Sequence, residues 1–398
     1  MKRKDKQRRA FSTIRGELET EGDPSVASKL ARAFQAADGE GRPLTHGFHA
    51  YPARAHPLLV RSLLESFSEP GQRVLDPFSG SGTVAVEALA AGRRAIASDI
   101  NRIGLSMTHV KVQRLDGAAR RRLEAAAASV ATRAARARRE IDELEDAGEL
   151  ERLFAPSTLL ELLTLREAIE SLRDGAHRRA LRSVLSSILV KLSHRESETE
   201  ARLKPSNFTP GFAYQLFRER TTELALGMRG LRHLTPDEAG EPLICEADAR
   251  RLPLCAETID LALTSPPYLG TYDYTLFQSL RETFFALPPG RGAELEIGAR
   301  TSSAAGAAGA AGAAQRFERY RADLSASLLE ISRVLRRAGT CLLILGDSSA
   351  GGRFVAADRL LREASRTTPF HFQARCSQKR AALHGQRALE HLIALEKR

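Results

Sequence analysis

The chain has 398 residues, enough for two or three domains of ordinary size, and its composition is that of a globular protein. Lysine and arginine number 60 against 49 acidic residues, a net charge of +11 that favours a polyanionic partner, although a GC-rich codon bias would produce the same arginine excess. Because the cysteines form no Cys-x-x-Cys pair and no apolar run reaches the ~18 residues of a membrane span, we expect no metal site, no disulfide scaffold and no membrane partner.

The chain begins with a polar and basic segment. We expect residues 1–45 to form a flexible basic arm that contains one short helix near Ser25–Ala37. No apolar stretch follows the basic start, which predicts the absence of a signal peptide. Together with cysteines that form no disulfide scaffold, this predicts a cytoplasmic protein.

A strand–helix–strand pattern follows the arm. Apolar residues at helical spacing predict a helix over Pro57–Phe67, and Arg73–Leu75 is the first strand. A glycine-rich turn leads into a helix over Thr83–Ala91 and a second strand over Arg94–Ser98. Strand, turn, helix and strand together make a βαβ unit.

Residues 112–240 have a different character, because they are rich in alanine, leucine, glutamate and arginine and contain no strand pattern. Four or five helices are predicted, and they include 117–147, a helix that starts at Thr158, Ala176–Ser193 and Phe212–Leu231. Glu161 follows Thr158 at the spacing of a capping box. We interpret this block as a helical insert or second domain.

Strand patterns return after residue 240. Strands are predicted over Leu243–Cys245, Ile259–Leu263, Cys341–Leu345 and His391–Leu395, helices over Leu276–Phe285 and Phe317–Leu335, and an Ala/Gly-rich loop over 302–314. Residues 46–111 and 241–398 therefore alternate β and α, which predicts an α/β core with a parallel sheet between helices. Ligands of such sheets bind outside the carboxyl ends of the strands.

The turn after the first strand is the first candidate site. Asp76 ends the strand and is followed by Pro77, Phe78, Ser79, Gly80, Ser81, Gly82 and Thr83. Glycines let a ligand approach the backbone, but no lysine follows them as in a triphosphate-binding loop. The carboxylate would repel a pyrophosphate and attract a cationic group, such as an ammonium.

Two more acidic residues follow strands. Asp99, with Ile100 and Asn101 after it, lies about 20 residues beyond the glycine turn, where nucleotide-binding folds hold a ribose diol. A helix N-cap is the alternative role for Asp99. Asp248, followed by Ala249, would accept a hydrogen bond from an adenine amino group, and a solvated loop carboxylate is the alternative.

Thr264-Ser265-Pro266-Pro267-Tyr268 is the most specific segment of the chain. Two prolines at the end of a buried strand remove two N–H donors from a sheet and fix an extended backbone. The Ser265 hydroxyl and the Pro266 carbonyl then form two outward acceptors, and Tyr268 adds a flat aromatic surface. This combination suits a planar heterocycle that carries an exocyclic amine.

These segments together resemble the S-adenosylmethionine-dependent amino-methyltransferases of DNA, which methylate cytosine N4 or adenine N6. The similar segments are His49–Arg54 (motif X), Asp76–Thr83 (motif I), Asp99 (motif II), Asp248 (motif III) and Ser265–Tyr268 (motif IV). The resemblance covers roughly residues 46–115 and 241–350. It implies a Rossmann-like seven-stranded methyltransferase sheet with the helical block as an insert.

The resemblance also implies a role for each matching residue. S-adenosyl-L-methionine would be the cofactor, held by Tyr51, Pro52, Asp76, Pro77, Phe78, Ser79, Gly80, Gly82, Thr83, Asp99, Ile100, Asn101, Asp248 and Ala249. The catalytic residues would be Ser265, Pro266, Pro267 and Tyr268, the last stacking on a base flipped out of DNA. Methylation of cytosine C5 is disfavoured, because it needs a nucleophilic cysteine, usually in a Pro-Cys pair, and the chain has no Pro-Cys.

The resemblance makes DNA the expected substrate, and serine at the start of motif IV is more typical of N4-cytosine than of N6-adenine enzymes. The alternatives are N6-adenine methylation, methylation of an RNA base, and non-catalytic nucleic-acid binding by a degenerate fold. A cognate restriction endonuclease is a partner that this class of enzyme allows, and the resemblance implies association with a bacterial or archaeal nucleoid. The recognised DNA sequence and the oligomeric state are not predicted.

The insert at 112–240 is the block large enough for target recognition or DNA docking, because only 17 positions separate Asp248 from Ser265. Its basic residues are predicted to meet phosphates, and the alternative is a solvated helix face packed on the core. The predicted nucleic-acid contacts are Arg178, Arg179, Arg182, Lys191, Arg195 and Lys204.

Overall fold

The computed structural model describes residues 16–39, 44–52, 54–141, 147–197, 202–270, 274–287, 295–298, 310–350, 353–379 and 388–398. The strands are β1 (Glu19–Gly22), β2 (Arg73–Asp76), β3 (Arg94–Asp99), β4 (Leu243–Glu246), β5 (Ile259–Thr264), β6 (Leu335–Gly346), β7 (Ser348–Ala350), β8 (Arg353–Val355), β9 (Phe370–Lys379) and β10 (Leu389–Lys397). The helices are α1 (Pro24–Ala36), α2 (Pro57–Phe67), α3 (Thr83–Ala90), α4 (Arg102–Lys111), α5 (Gly117–Arg139), α6 (Glu149–Leu153), α7 (Pro156–Glu170), α8 (Gly175–Leu192), α9 (Phe212–Leu234), α10 (Tyr274–Phe284), α11 (Ala310–Val334) and α12 (Ala357–Ser365), with 3₁₀ turns at Thr45–Gly47 and Asp237–Ala239.

The main sheet has the strand order β1-β9-β10-β6-β5-β2-β3-β4. Strands β6, β5, β2, β3 and β4 run parallel, whereas β10 is antiparallel to both β6 and β9. The predicted α/β sheet of the methyltransferase type is therefore confirmed, and it contains an eighth strand because β1 adds to its edge.

The prediction of a flexible arm over residues 1–45 is wrong for the part that the structure describes. Strand β1 pairs with β9 from Glu19↔Ser377 to Gly22↔Ala374, and α1, capped by the Asp23 side chain, buries Leu30 and Phe34 in the core. The short predicted helix is present as α1. Residues 1–15 and 40–43 lie outside the described residues.

The helical insert consists of α5 to α9 around its own apolar cluster. The predicted capping box at Thr158 is wrong, because α7 starts at Pro156 and the Glu161 carboxylate faces the start of α9 instead. Its carboxylate accepts hydrogen bonds from the backbone N–H groups of Gly211 (2.5 Å) and Ala213 (3.1 Å) and so holds the start of α9. Part of the predicted 117–147 helix, residues 142–146, lies outside the described residues.

Apolar side chains cover both faces of the sheet. Helices α1, α2 and α3 pack on one face, and α11 and α12 pack on the other. The Ala/Gly-rich stretch is helical from Ala310 onward, which corrects the loop predicted over 302–314, and residues 302–309 lie outside the described residues. Among the described helices, none has both the length and the apolarity that a bilayer crossing requires.

The order of the parallel strands reverses at β2. From β2 the chain first adds β3 and β4 on one side and later adds β5 and β6 on the other. A sheet with this reversal opens a crevice at the carboxyl ends of the two strands on either side of the switch. Here those strands are β2 and β5, which end at Asp76 and Thr264.

Candidate functional site

A cleft of about 1020 Å³, including the solvent at its mouth, opens at the carboxyl ends of β2, β3 and β5. Most residues predicted to bind the cofactor or the target line it, namely Tyr51, Asp76, Pro77, Phe78, Ser79, Gly80, Thr83, Asp99, Ile100, Asn101, Asp248, Ala249, Ser265 and Pro267. Pro52, Gly82, Pro266 and Tyr268 are not among its lining residues. Residues of all five motifs, from different parts of the chain, thus meet in one space.

The glycine turn forms one wall of the cleft. Gly80 has φ +49° and its N–H donates to Asp99 Oδ2 over 2.7 Å, so the turn and the end of β3 are joined. A Cβ on Gly80 would lie 2.9 Å from Tyr51 Cε1. Gly82 has φ +81° and packs against Thr108 of α4, which explains why it does not reach the cleft.

Asp76 lies at the bottom of the cleft and is 4% exposed. Its Oδ1 accepts hydrogen bonds from Thr264 Oγ1 (2.6 Å) and from the Phe78 N–H (3.2 Å). Burial raises the pKa of Asp76 to about 7, because the hydrogen bonds offset only part of the lost hydration and Asp99 adds repulsion. The group therefore changes charge near neutral pH.

Asp99 is the second carboxylate on the cleft. Its Oδ1 accepts from the Asn101 N–H (2.9 Å) and its Oδ2 from the Gly80 N–H, and burial still raises its pKa to about 6. The N-cap that was the alternative for Asp99 is provided by Asn101, whose Oδ1 accepts from the Ile103 N–H over 3.0 Å. Asp99 is thus left facing the cleft.

Tyr51 brings the predicted motif X segment to the same wall. Its hydroxyl accepts a hydrogen bond from Asn101 Nδ2 (3.0 Å), and its ring covers Gly80. Arg54, three residues on, also lines the cleft and donates to the backbone carbonyl of His46. The segment before α2 is therefore held against the glycine turn by the contacts of Tyr51.

Asp248 lines the cleft, but its carboxylate is already engaged. Arg250 donates to it through Nε (2.9 Å) and Nη2 (2.6 Å) and through Nη1 to Asp323 of α11 (2.6 Å). Burial alone would raise the pKa of Asp248, but the hydrogen bonds from Arg250 outweigh it and hold that pKa below its usual range. Any ligand contact of Asp248 must use the remaining lone pairs of an ion-paired carboxylate.

The predicted catalytic segment follows β5 directly. Ser265 and Pro267 line the cleft, and the Pro267 carbonyl accepts a hydrogen bond from Tyr320 Oη of α11 over 2.7 Å. Because Thr264 bonds Asp76, the first and the fourth motif are locked together at the point where their strands end.

Tyr268, which was predicted to stack on a flipped base, does not line the cleft. Its ring is 8% exposed and packs in the apolar cluster around β6 and α12, away from the cleft lining. Its hydroxyl donates to the buried carboxylate of Glu390 over 2.7 Å. The buried acceptor and the apolar surroundings explain why the aromatic side chain turns inward.

The six basic residues predicted to meet phosphates are not one surface. Arg179 and Arg182 line a groove beside the cleft. Arg178 donates to the Leu172 carbonyl (2.8 Å), and Arg195 donates to Ser279 Oγ (2.8 Å), both structural contacts. Lys191 lies 5.8 Å from the centre of the Phe212 ring, and Lys204 is exposed on a loop.

Several residues of the site were not predicted. Gln278 of α10 lines the cleft, and Tyr320 holds the Pro267 carbonyl. Neither belongs to a motif, and both come from helices whose placement depends on long-range packing. Thr264 and Arg54 lie within the predicted motif segments, but their hydrogen bonds to Asp76 and to the His46 carbonyl were not predicted.

One segment of the chain is similar to a known protein family. Residues 12–106 match the family model that is described as DNA methylase, N6_N4_Mtase. The match covers less than half of the chain, and this segment is similar to the N6/N4 DNA methylases. The matched segment contains Tyr51, the glycine turn and Asp99, and it ends before the helical insert.

The alignments with curated relatives are also short. The type II methyltransferase M.MjaII of Methanocaldococcus jannaschii is 35% identical over 71 residues, 18% of this chain and 13% of the relative. M.MvaI of Kocuria varians is 37% identical over 73 residues, 18% and 16% of the two chains. The putative methylase YubD of Escherichia coli is 37% identical over 76 residues, 18% and 34%. The aligned segment thus spans about a third or less of each of these relatives.

Solved methyltransferase structures also align with the chain. TrmN from Thermus thermophilus aligns at 15% identity with a TM-score of 0.34, covering 86% of this chain and 49% of that chain. A geranyl diphosphate methyltransferase in complex with SAM aligns at 8% identity with a TM-score of 0.35, covering 92% and 95%.

Proposed function

We propose that the chain transfers a methyl group from S-adenosyl-L-methionine to the exocyclic N4 amine of a cytosine flipped out of DNA. One observation carries the proposal. The hydrogen bond of 2.6 Å between Thr264 and Asp76 joins the segment that would hold the target amine to the carboxylate that would hold the cofactor, so both sites share one cleft. The similarity of residues 12–106 to the DNA methylase model supports the reaction class and the cofactor.

The residues that line the cleft support this choice of cofactor. S-adenosyl-L-methionine, when bound, would supply an electrophilic methyl group on a sulfonium. Glycine is required at position 80, because φ is positive there and an added Cβ would meet the Tyr51 ring that lines the same cleft. Asp76, with a raised pKa, would gain a full negative charge beside an ammonium group, and Asp99 would accept hydrogen bonds from ribose hydroxyls.

Motif IV would prepare the nucleophile. An exocyclic amine is weakly nucleophilic because its lone pair is delocalised into the ring. Hydrogen bonds from its protons to Ser265 Oγ and to a proline carbonyl would localise that lone pair and aim it into the cleft. Tyr320 limits how far the backbone of this segment can move, because it holds the Pro267 carbonyl at 2.7 Å.

The test is nucleoside mass spectrometry of DNA from cells that express the chain. N4-methylcytosine that disappears in the Ser265→Ala variant supports the proposal. N6-methyladenine alone overturns the choice of base, and a methylated base found in RNA alone overturns the choice of substrate. Cofactor binding by calorimetry without any methylated base would favour a non-catalytic binding protein.

The variants need a matched control. Ser265→Ala should keep cofactor affinity, because Asp76 and the glycine turn are untouched, while the rate falls by about 10²- to 10³-fold, as for the loss of one positioned polar group. Ser349→Ala, in the β7–β8 ribbon away from the cleft, should leave both quantities unchanged.

A further inference from the structure

The two prolines of the predicted catalytic segment donate no backbone hydrogen bond, because proline has no N–H. The donor half of the main-chain bonding that orders a strand is therefore missing at Pro266 and Pro267. Two tyrosine hydroxyls bond this part of the chain to other elements. Tyr320 of α11 donates to the Pro267 carbonyl over 2.7 Å, and Tyr268, the next residue of the segment, donates to Glu390 of β10 over 2.7 Å.

Glu390 is a costly partner for a tyrosine hydroxyl, because its side chain is completely buried. Glu390 is 0% exposed at the start of β10, and Tyr268 is 8% exposed within the apolar cluster around β6 and α12. Removing a carboxylate from water is unfavourable unless hydrogen bonds compensate for the lost hydration. An acidic residue placed there against this cost indicates a role beyond packing.

The backbone on both sides of Glu390 is firmly bonded to the end of β6, where Glu390 pairs with the last residue of that strand. The Leu389 N–H donates to the Asp347 carboxylate (2.9 Å), and the Leu389 carbonyl accepts from the Asp347 N–H (2.9 Å). On the other side, His391 bonds the same carboxylate through Nε2 over 3.1 Å. Tyr268 is therefore tied to a fixed point of the sheet.

We propose that Tyr268 is a positioning residue, whose hydrogen bond to Glu390 holds Ser265 and the proline carbonyls in the place that methyl transfer requires. The proposal rests on the proposed function. Ser265 lines the cleft, whereas the Tyr268 side chain, three positions on, packs away from it. Thr264 is bonded to Asp76 before Ser265, so the segment is held on both sides of the residues that would bind the target amine. In this role the hydroxyl of Tyr268 matters and the flat face of its ring does not.

The test is methyl transfer from tritium-labelled S-adenosyl-L-methionine to amplified genomic DNA, which carries no methylated base. Rates are measured at saturating DNA and cofactor and divided by the fraction of chain that binds cofactor in calorimetry, so that misfolded protein is not counted. Tyr268→Phe keeps the ring and removes the hydroxyl. We expect kcat to fall about 10- to 100-fold, because a misplacement of about 1 Å can cost about 100-fold, while KM for DNA and the cofactor affinity stay unchanged.

The acceptor of the hydrogen bond is tested separately. Glu390→Gln keeps an oxygen acceptor and should retain kcat to within about threefold, whereas Glu390→Leu should lose as much as Tyr268→Phe. Because the two side chains act through one bond, Tyr268→Phe/Glu390→Leu should be no slower than either single variant. Tyr214→Phe is the matched control, since it removes a hydroxyl that bonds Thr164 Oγ1 (3.1 Å) within the helical insert, and its kcat should equal that of the unmodified chain.

An unchanged kcat in Tyr268→Phe or in Glu390→Leu overturns the inference. Losses that multiply in the double variant also overturn it, because they show two independent roles. A Tyr268→Phe variant that loses activity only through a raised KM would show a binding role and overturns it as well. Failure of the proposed function has a different signature, in which the unmodified chain binds the cofactor and transfers no methyl group to DNA.

Discussion

The hydrogen bond from Thr264 to Asp76 can be removed by one substitution that keeps the shape of the side chain. Thr264→Val replaces the hydroxyl with a methyl group and leaves Asp76 with the Phe78 N–H as its remaining described donor. The lost bond had favoured the ionised carboxylate, so the pKa of Asp76 should rise further above about 7.

The size of the effect follows from the strength of the bond. A hydrogen bond to a charged group contributes about 1.5–3 kcal/mol, and 1.36 kcal/mol corresponds to one pKa unit. The pKa of Asp76 should therefore rise by about 1–2 units, and the ionised fraction at pH 7 should fall from about one half to between about a tenth and a hundredth. If the ionised form binds the cofactor, affinity at pH 7 falls about 5- to 50-fold.

The assay is calorimetry with S-adenosyl-L-methionine between pH 6.5 and 9, expressed as the ratio of the dissociation constants of variant and unmodified chain. The ratio should shrink to at most about 2 near pH 9, where Asp76 is almost fully ionised in the unmodified chain and at least about half ionised in the variant. Thr221→Val is the control, since it removes a buried hydroxyl whose bond to the Phe217 carbonyl lies in α9. A ratio that does not change with pH would refute the reasoning.

Three further predictions concern the same cleft. The pKa of Asp76 is about 7 in the folded state and 3.8 in the unfolded state, so between these pH values the folded state binds one more proton than the unfolded state. Without cofactor, the free energy of unfolding should therefore fall by about 4 kcal/mol as pH rises from about 4 to 7. Urea unfolding of Asp76→Asn should lack this pH-dependent component. Gly80→Ala should weaken cofactor binding more than Gly71→Ala, because both have positive φ but only Gly80 has a ring within 4 Å of the added Cβ, as calorimetry and urea unfolding of both variants would show. Tyr320→Phe frees the Pro267 carbonyl and should lower kcat by up to about tenfold without changing cofactor affinity, and an equal change in both quantities would contradict a positioning role.

The parts of the site that could be predicted from sequence are local. Asp76 and Asp99 each end a strand, and parallel strands carry whatever follows them to the same edge of a sheet. The glycine turn could be read because Gly80 and Gly82 are needed at positive φ. For these residues the chemistry lies within a few positions of the strand that presents it.

The parts that were missed depend on distant residues. Thr264 and Asp76 are 188 positions apart, and Tyr320 reaches Pro267 from a helix that starts in a low-complexity stretch. Tyr268 was expected to face a base, but its direction is set by Glu390, which lies 122 positions further along the chain. No periodicity or spacing in the sequence predicts contacts between residues that are so far apart in the chain.

The segment before α1 was misread for the same reason. Its polar residues predict a solvated arm, and β1 is exposed along its whole length. What orders it is the free edge of β9, more than 350 residues away, which supplies the backbone partners. A polar strand can be ordered by main-chain hydrogen bonds alone.

Strand β1 also has a consequence for handling the protein outside its native setting. Without it, β9 would present a row of unpaired backbone N–H and C=O groups along the outermost strand, which is a template for a strand of another molecule. Truncated forms of the chain that lack the residues up to Gly22 would therefore replace a short exposed strand with an open sheet edge that is prone to association. Shortened versions intended for crystallisation should begin before Glu19.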